Sequence, residues 1–451
     1  MDESIERIAA YAVRLDYASL TPKAVHEVKR RLIDSIGCGL GDYEAEPCQI
    51  ARRLASRAST ANGPRILGTQ HRTLPELATF ANAVMIRYLD GNDTFPGRGG
   101  HPSDVVAGLL AVAETRRCDG KALITAITLA YEVYHAVYVG ALVRDRGIDH
   151  VFYATVASAV GAGKLLGLDA TKMGHAVALA VTPNIPLHAT RRGDLSMWKG
   201  VAGGNAARNG VFAALLAAEG MTGPNNALDG SHGLGELLGK FELGPLTEPG
   251  SGDFWITQSS LKYFLSEYHS QNPIALALQL SREVNADDIE SVTIHTYWFA
   301  WHEIGSEPEK WHPTTRESAD HSLPFIVSAV LIDRAFSDEI FSEARIRDAR
   351  VHTLADKVSV KEDPELSKRF PAEIPCRIDV RTRTGELKSA SASYPRGHFR
   401  NPMTDDEVAS KFSTLAGRFL ERARLEAALK LLWKTDEVQD VAAVLDAFSR
   451  A

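Results

Sequence analysis

Asp90-Gly91-Asn92-Asp93-Thr94-Phe95-Pro96-Gly97-Arg98-Gly99-Gly100-His101-Pro102-Ser103-Asp104 breaks an apolar, helix-patterned region. Phe80 to Leu89 precedes it and Val105 to Ala113 follows it, both with helical patterning. The stretch therefore reads as an irregular loop between two helices. It carries three carboxylates, one imidazole, two hydroxyls and four glycines. His101 is the one side chain in it that ordinarily titrates near neutral pH. A long polar loop on a rigid helical scaffold is a common place for function.

Outward from this loop the chain has two textures. Residues 1 to about 240 are rich in Ala and Leu and helical in period. Thr21-Pro22 reads as a helix cap followed by proline in the first turn. Further helices are expected over roughly 104–117 and 120–141. Ala154 to Leu166 and Lys199 to Gly220 are small and apolar enough for close backbone approach. Near residue 250 the pattern changes. Ile289 to Tyr297 alternates as a strand does, and Ile374–Val380 with Lys388–Tyr394 reads as a strand pair around Thr384-Gly385. Helical stretches are expected at about 271–283 and 321–335, and Thr404-Asp405-Asp406-Glu407 opens another. The expected fold is mainly α with a smaller α+β domain. The division reads as a helical domain over 1–262, an α+β domain over 263–395, and a C-terminal helical return to the first domain over 396–451.

Composition narrows the function classes. A chain of 451 residues is long for one simple core, so two domains are expected. Net charge is −7 and the isoelectric point is near 6.1, which argues against nucleic acid as the main partner. No uninterrupted run of about 18 apolar residues occurs, so no membrane span is expected. The acidic start, Met1 to Glu6, resembles neither a secretory signal nor a basic transit peptide, and a cytoplasmic protein is expected. Cys38, Cys48, Cys118 and Cys376 are scattered, without the close spacing of a zinc or iron–sulfur site. Dinucleotide, phosphate-loop, His-Glu-x-x-His and Gly-x-Ser-x-Gly signatures are missing.

Polar clusters punctuate the apolar background. They are Asp149-His150, Arg191-Arg192 before Lys199, Lys262, Glu267 to Gln271, Arg316 with Asp320-His321, and Arg396-Gly397-His398. Arginine and lysine bind carboxylates, and histidines beside carboxylates move protons. A cleft between domains is where such groups gather. The coherent chemistry is proton abstraction next to a carboxylate, with neither metal nor organic cofactor.

Six segments then carry a resemblance. They are Leu89 to Thr94 with Gly100 to Asp104; Gly147 to Val151 running to Gly163–Leu168; Trp198 to Arg208; Ser266 to Gln271; Ala319 to Phe325; and Asn401 to Glu407. In this order they resemble the MmgE/PrpD family, and within it the 2-methylcitrate dehydratase branch. The resemblance spans about residues 10 to 430. It implies a helical domain with an α+β lid, a homodimer, and cofactor-independent chemistry on a small polycarboxylate in propionate metabolism.

Carried over by position, it implies a site of Asp90, Thr94, His101, His150, Lys199, Lys262 and His269, with Asp93 and Gln271 in the substrate-binding set. His101 and His150 would form the acid–base pair. Lys199 and Lys262 would hold substrate carboxylates, joined by Arg191 or Arg192. Asp90 would orient a histidine or hold a substrate hydroxyl. His269 would sit at the lid hinge and bind a carboxylate or share proton transfer. The expected reaction is dehydration of 2-methylcitrate or a close tricarboxylate.

One departure stands out: Phe325 lies where many members have an aromatic hydroxyl. It favours a second reading, decarboxylation or epimerisation of a cis-aconitate- or iminodisuccinate-type acid. A third is a carboxylate-binding member without turnover.

Overall fold

The computed structural model describes residues 1–97, 100–250 and 252–450. Arg98 and Gly99, part of the glycine-rich reading of the loop, lie outside the described residues.

Two hydrophobic cores organise the chain. The larger joins Ile5, Leu32, Val84, Leu109, Val133, Val160 and Val211 with Val408, Phe412, Leu425, Leu432 and Phe448. The smaller joins Ile274, Ile294, Phe325, Val330, Ile378 and Val380. The last helices, Asp405–Ala416 and Arg422–Trp433, thus pack into the first core, with Phe412 3.2 Å from where a Cβ on Gly37 would lie.

Small residues set the spacing within the helical layer. The helix Val151–Leu166 lies against Trp198–Ala218 so closely that a Cβ on Gly210 would meet the Thr155 carbonyl oxygen at 2.2 Å. A Cβ on Gly203 would strike Asp104 Oδ2 at 2.4 Å. Glycine is required at both places by contact with a neighbouring element. The helix Gly120–Gly140 is long and apolar enough to cross a membrane, but 83% of its most apolar window is buried inside the protein. Its apolarity is that of a core helix.

In the second unit, β1 (Ile289–Thr296), β2 (Val358–Glu362), β3 (Cys376–Thr382) and β4 (Leu387–Ala392) form one sheet in the order β2-β1-β3-β4. β1 pairs parallel with β2 and antiparallel with β3, with Ile294 opposite Val360 and Ile378. The β3–β4 turn holds Gly385 at φ +86°, the left-handed conformation that the Thr384-Gly385 reading anticipates. Alternate residues Val292, Ile294, Ile378 and Val380 are buried and share a core with residues of the helices Gln271–Leu280 and Leu323–Asp333. The edge strand β2 is absent from the sequence reading: it is five residues long and its pattern, Val-Ser-Val-Lys-Glu, is too short to separate from a helix end. Helix starts also shift slightly. Residues Pro102–Val105 form a 3-10 turn before the helix Val106–Arg116, because Pro102 removes an amide donor there.

Candidate active site

A buried carboxylate organises the junction of the two units. Asp90 follows the helix Pro75–Tyr88 and adopts φ +52°, a left-handed conformation that aspartate tolerates better than most residues. The reversal turns its side chain back toward Arg87. Asp90 Oδ1 accepts from Arg87 Nη1 at 2.6 Å and Lys262 Nζ at 2.5 Å, and Oδ2 accepts from Lys199 Nζ at 3.0 Å. Burial alone raises a carboxyl pKa, but the Arg87, Lys199 and Lys262 cations outweigh it and hold Asp90 well below the usual range.

Lys199 stands in the first turn of the helix Trp198–Ala218, where a cation gains nothing from the helix dipole. It is held there by two carboxylates, since Nζ also donates to Asp320 Oδ2 at 2.9 Å. Asp320 in turn accepts from His321 Nδ1. Asp90, Asp320 and His321 bring ligand-type atoms within 4.8 Å of one another, but the Lys199 ammonium lies between the two carboxylates and already supplies the cation.

Lys411, from Asp405–Ala416, fixes the backbone on both sides of Asp90 and its partner. Its Nζ donates to the carbonyl oxygens of Gly91 and Lys262, each at 2.7 Å, and pairs with Asp34 Oδ1 at 2.7 Å.

Over this network lies a small, largely enclosed cavity of about 40 Å³. The helical domain lines it with Arg87, Asp90, His101, Arg144, His150 and Arg191; the second unit contributes Glu267, His269, Phe299, Glu303 and His321. His101 Nδ1 donates to the Asp93 carbonyl at 2.7 Å, so the basic nitrogen is Nε2, 3.7 Å from Asp90 Oδ1. Burial, with the Arg87 and Lys262 charges, lowers its pKa well below the usual histidine value.

His150 Nδ1 lies between Arg144 Nη2 at 2.9 Å and Asp149 Oδ1 at 2.8 Å. Burial pulls the His150 pKa down to about 3 although Asp149 opposes it. Gly100, at φ +70°, lets the loop pass over this ring; a Cβ there would lie 2.1 Å from His150 Cδ2. Arg191 Nε donates to Asp149 Oδ2 at 3.1 Å and Nη1 to the Lys199 carbonyl at 2.9 Å.

Four buried nitrogens of the lining residues, Arg87 Nε, Arg144 Nε, Arg191 Nη2 and His150 Nε2, have no hydrogen-bond partner among the described residues. Orphaned buried donors are costly, so a cluster of them around one cavity calls for an acceptor.

On the opposite wall, burial lowers the His269 pKa to about 3, and its Nδ1 bonds the Tyr297 hydroxyl. Burial raises the Glu303 carboxyl, but Arg144, 3.6 Å away, and nearby histidines bring it below its usual value.

The structure thus brings His101, His150, Asp90, Arg191 and His269 to one cavity. Lys199 and Lys262 lie just beneath, with their charges spent on Asp90 and Asp320 rather than open to a ligand. Four further expected residues also lie off the lining. Thr94 bonds the Gly100 carbonyl at 2.9 Å, and Asp93 receives Tyr131 and the Ser103 amide, so both shape the loop. Gln271 bonds the backbone of Phe264 and Ser266. Arg192 points toward His302 and Glu307 near the surface. Phe325 is fully buried in the second core, away from the cavity, so it lends no support to the decarboxylase or epimerase reading.

Arg87, Arg144, Glu267, Phe299, Glu303 and His321 are cavity residues to which the sequence reading gave no role. Arg87 and Glu303 sit inside helices, and Arg144 sits in an Arg-Asp-Arg run that looks solvated. The available signals were the flanking clusters Asp320-His321 and Glu267 to Gln271.

The fold and site define a helical and α+β protein with an enclosed cavity lined by histidines, arginines and carboxylates. Residues 6–242 match the MmgE/PrpD N-terminal domain and residues 264–435 the MmgE/PrpD C-terminal domain; the chain belongs to the MmgE/PrpD family. It is 28% identical to a 2-methylcitrate dehydratase of Cupriavidus necator, over 94% of this chain and 95% of that protein. A 2-methylcitrate dehydratase of Escherichia coli (strain K12) gives the same identity and coverage. A cis-aconitate decarboxylase of Homo sapiens is 25% identical over 98% of this chain and 93% of its own length.

Proposed function

We propose that this protein is a hydro-lyase that dehydrates 2-methylcitrate or a closely related tricarboxylate. One observation carries the reading: three arginines with orphaned buried donors line the same cavity as His101, whose basic nitrogen is Nε2. Near-full-length alignment with several 2-methylcitrate dehydratases supports the same class.

In this reading His101 Nε2 takes the proton alpha to a substrate carboxylate. Arg144 and Arg191 hold carboxylates, and Arg87 stabilises the aci-carboxylate that forms. Preorganised donors in a water-poor cavity are the largest single source of such stabilisation. Asp90 balances the imidazolium that His101 becomes. Loss of the hydroxyl as water then gives the alkene.

A second reading has one observation behind it, the full-length match to a cis-aconitate decarboxylase. The deciding experiment is a panel of 2-methylcitrate, citrate, cis-aconitate and iminodisuccinate on purified, metal-stripped protein. Alkene absorbance and NMR in deuterated water are the readouts. The proposal expects alkene from 2-methylcitrate or citrate. Carbon dioxide release from cis-aconitate, or solvent exchange without any alkene, would replace it with the decarboxylase or epimerase reading.

A further inference from the structure

Elimination of water needs a proton donor as well as a base. Two of the cavity's histidines, His101 and His269, are poorly placed for that role. His101 commits its only proton in the neutral ring to the Asp93 carbonyl, and His269 Nδ1 is engaged with Tyr297. Among the lining carboxyls, Glu267 is placed to supply the proton. Glu267 stands directly before the 3-10 turn Tyr268–Ser270, and its Oε2 accepts from the His269 amide at 2.6 Å. Its Oε1 faces the cavity, 3.8 Å from His269 Nε2.

Two carboxylates of this wall contrast. Glu303 has the Arg144 guanidinium 3.6 Å away. Glu267 has no lysine or arginine within 4.0 Å among the described residues, and the nearby Lys262 ammonium is taken up by Asp90. Asp90 and Glu303 both repel a charge on Glu267, while Lys262 and the His269 amide favour it. Tyr268, Tyr297 and His269 complete its ionisable surroundings.

We propose that Glu267 is the proton donor to the departing hydroxyl, a role that rests on the dehydratase reading above. In the step, the electron pair of the aci-carboxylate forms the C=C bond. The C–O bond breaks with its electrons on oxygen, and that oxygen takes the Glu267 proton and leaves as water. Glu267 is left ionised and His101 protonated; transfer of that proton to Glu267 resets the site with no external reagent. Burial pushes the Glu267 carboxyl up to about 8, which keeps it protonated at neutral pH.

The test compares wild type with Glu267→Gln on 2-methylcitrate and citrate in deuterated water, following both alkene formation and exchange of the alpha proton. Because Glu267 is neutral at pH 7, the isosteric amide is expected to keep the thermal midpoint. Alkene formation is expected to fall by about 10²–10⁴-fold while alpha-proton exchange persists. The alkaline limb of the wild-type pH profile is expected to vanish in the variant. Glu267→Ala is expected to recover activity with added formate buffer, which a structural role would not produce. Alkene formation within fivefold of wild type in Glu267→Gln, or equal loss of exchange and elimination in a folded variant, would overturn the role. Absence of alkene from both acids with wild type would instead overturn the dehydratase reading, and this role with it.

Discussion

His101 is tied to Asp93 through the backbone carbonyl, not the carboxylate: Nδ1 donates to that oxygen at 2.7 Å. A carbonyl can only accept, so the hydrogen bond fixes the tautomer and turns the basic Nε2 toward Asp90. The Asp93 carboxylate is meanwhile held by Tyr131, Arg31 and the Ser103 amide, which stiffens the loop that carries the base.

His101→Ala should lower turnover on the active substrate of the panel by about 10²–10⁴-fold, the usual contribution of a positioned base. The far-ultraviolet circular dichroism spectrum should be unchanged. Turnover within about tenfold of wild type would exclude the base role.

Arg191 and Arg192 are adjacent in sequence but not in environment. Arg191 is buried against Asp149, whereas the Arg192 side chain is 38% exposed. Arg191→Ala leaves Asp149 without its main cation and should cost about 3–5 kcal/mol in a urea melt. Arg192→Ala should stay within about 0.5 kcal/mol of wild type and leave kcat/KM within twofold. Equal effects of the two substitutions would contradict the geometry.

Lys199→Met removes the cation between Asp90 and Asp320. The expected loss is about 3–5 kcal/mol at pH 7.5. Without Lys199, the repulsion between the two carboxylates raises at least one pKa. A raised carboxyl costs stability as pH rises and regains it as pH falls. The deficit against wild type should therefore shrink at pH 5, and urea midpoints at the two values would show a constant deficit if the pairing is misread.

The protein should lose stability on mild acidification. Burial lowers His150 and His269 to about 3, and His135, His321 and His398 to about 4. In the unfolded chain these rings titrate near the ordinary histidine value of about 6.5. Between that value and the folded ones the unfolded state binds more protons on these rings, so their contribution is lost as pH falls, and the raised Glu267, Glu132 and Asp104 carboxyls offset only part of it. Urea midpoints at pH 7.5, 6.0 and 5.0 should decrease in that order, and a flat series would show that the buried rings are already charged in the fold.

Much of the architecture was readable in the chain because its signals are local. The Thr404 and Glu407 side chains form the reciprocal cap that their spacing suggests, with Thr404 N–H donating to Glu407 Oε2 at 2.7 Å. The glycines of Trp198–Ala218 mark close packing in sequence and in space. The loop from Asp90 to Asp104 likewise showed where polar groups gather. The electrostatic division of labour was not readable, because it depends on contacts between residues far apart. Lys199 and Lys262 look like free anion binders until their distances to Asp90 and Asp320 are known. Arg87 and Arg144 look like ordinary surface charges until the second unit closes over them. Phe325 looked like a change at the site and is a core side chain.

The Lys411 ammonium has a consequence for how the protein comes into being. It joins carbonyls at residues 91 and 262 to a carboxylate at residue 34, and it is supplied by a helix near the end of the chain. During synthesis the earlier segments leave the ribosome long before that helix does. Until it docks, Asp34 lacks its counter-ion, and the carbonyls of Gly91 and Lys262 lack their shared donor. The centre is therefore finished late, and an interrupted translation product that ends before residue 411 lacks the ammonium that joins these three segments.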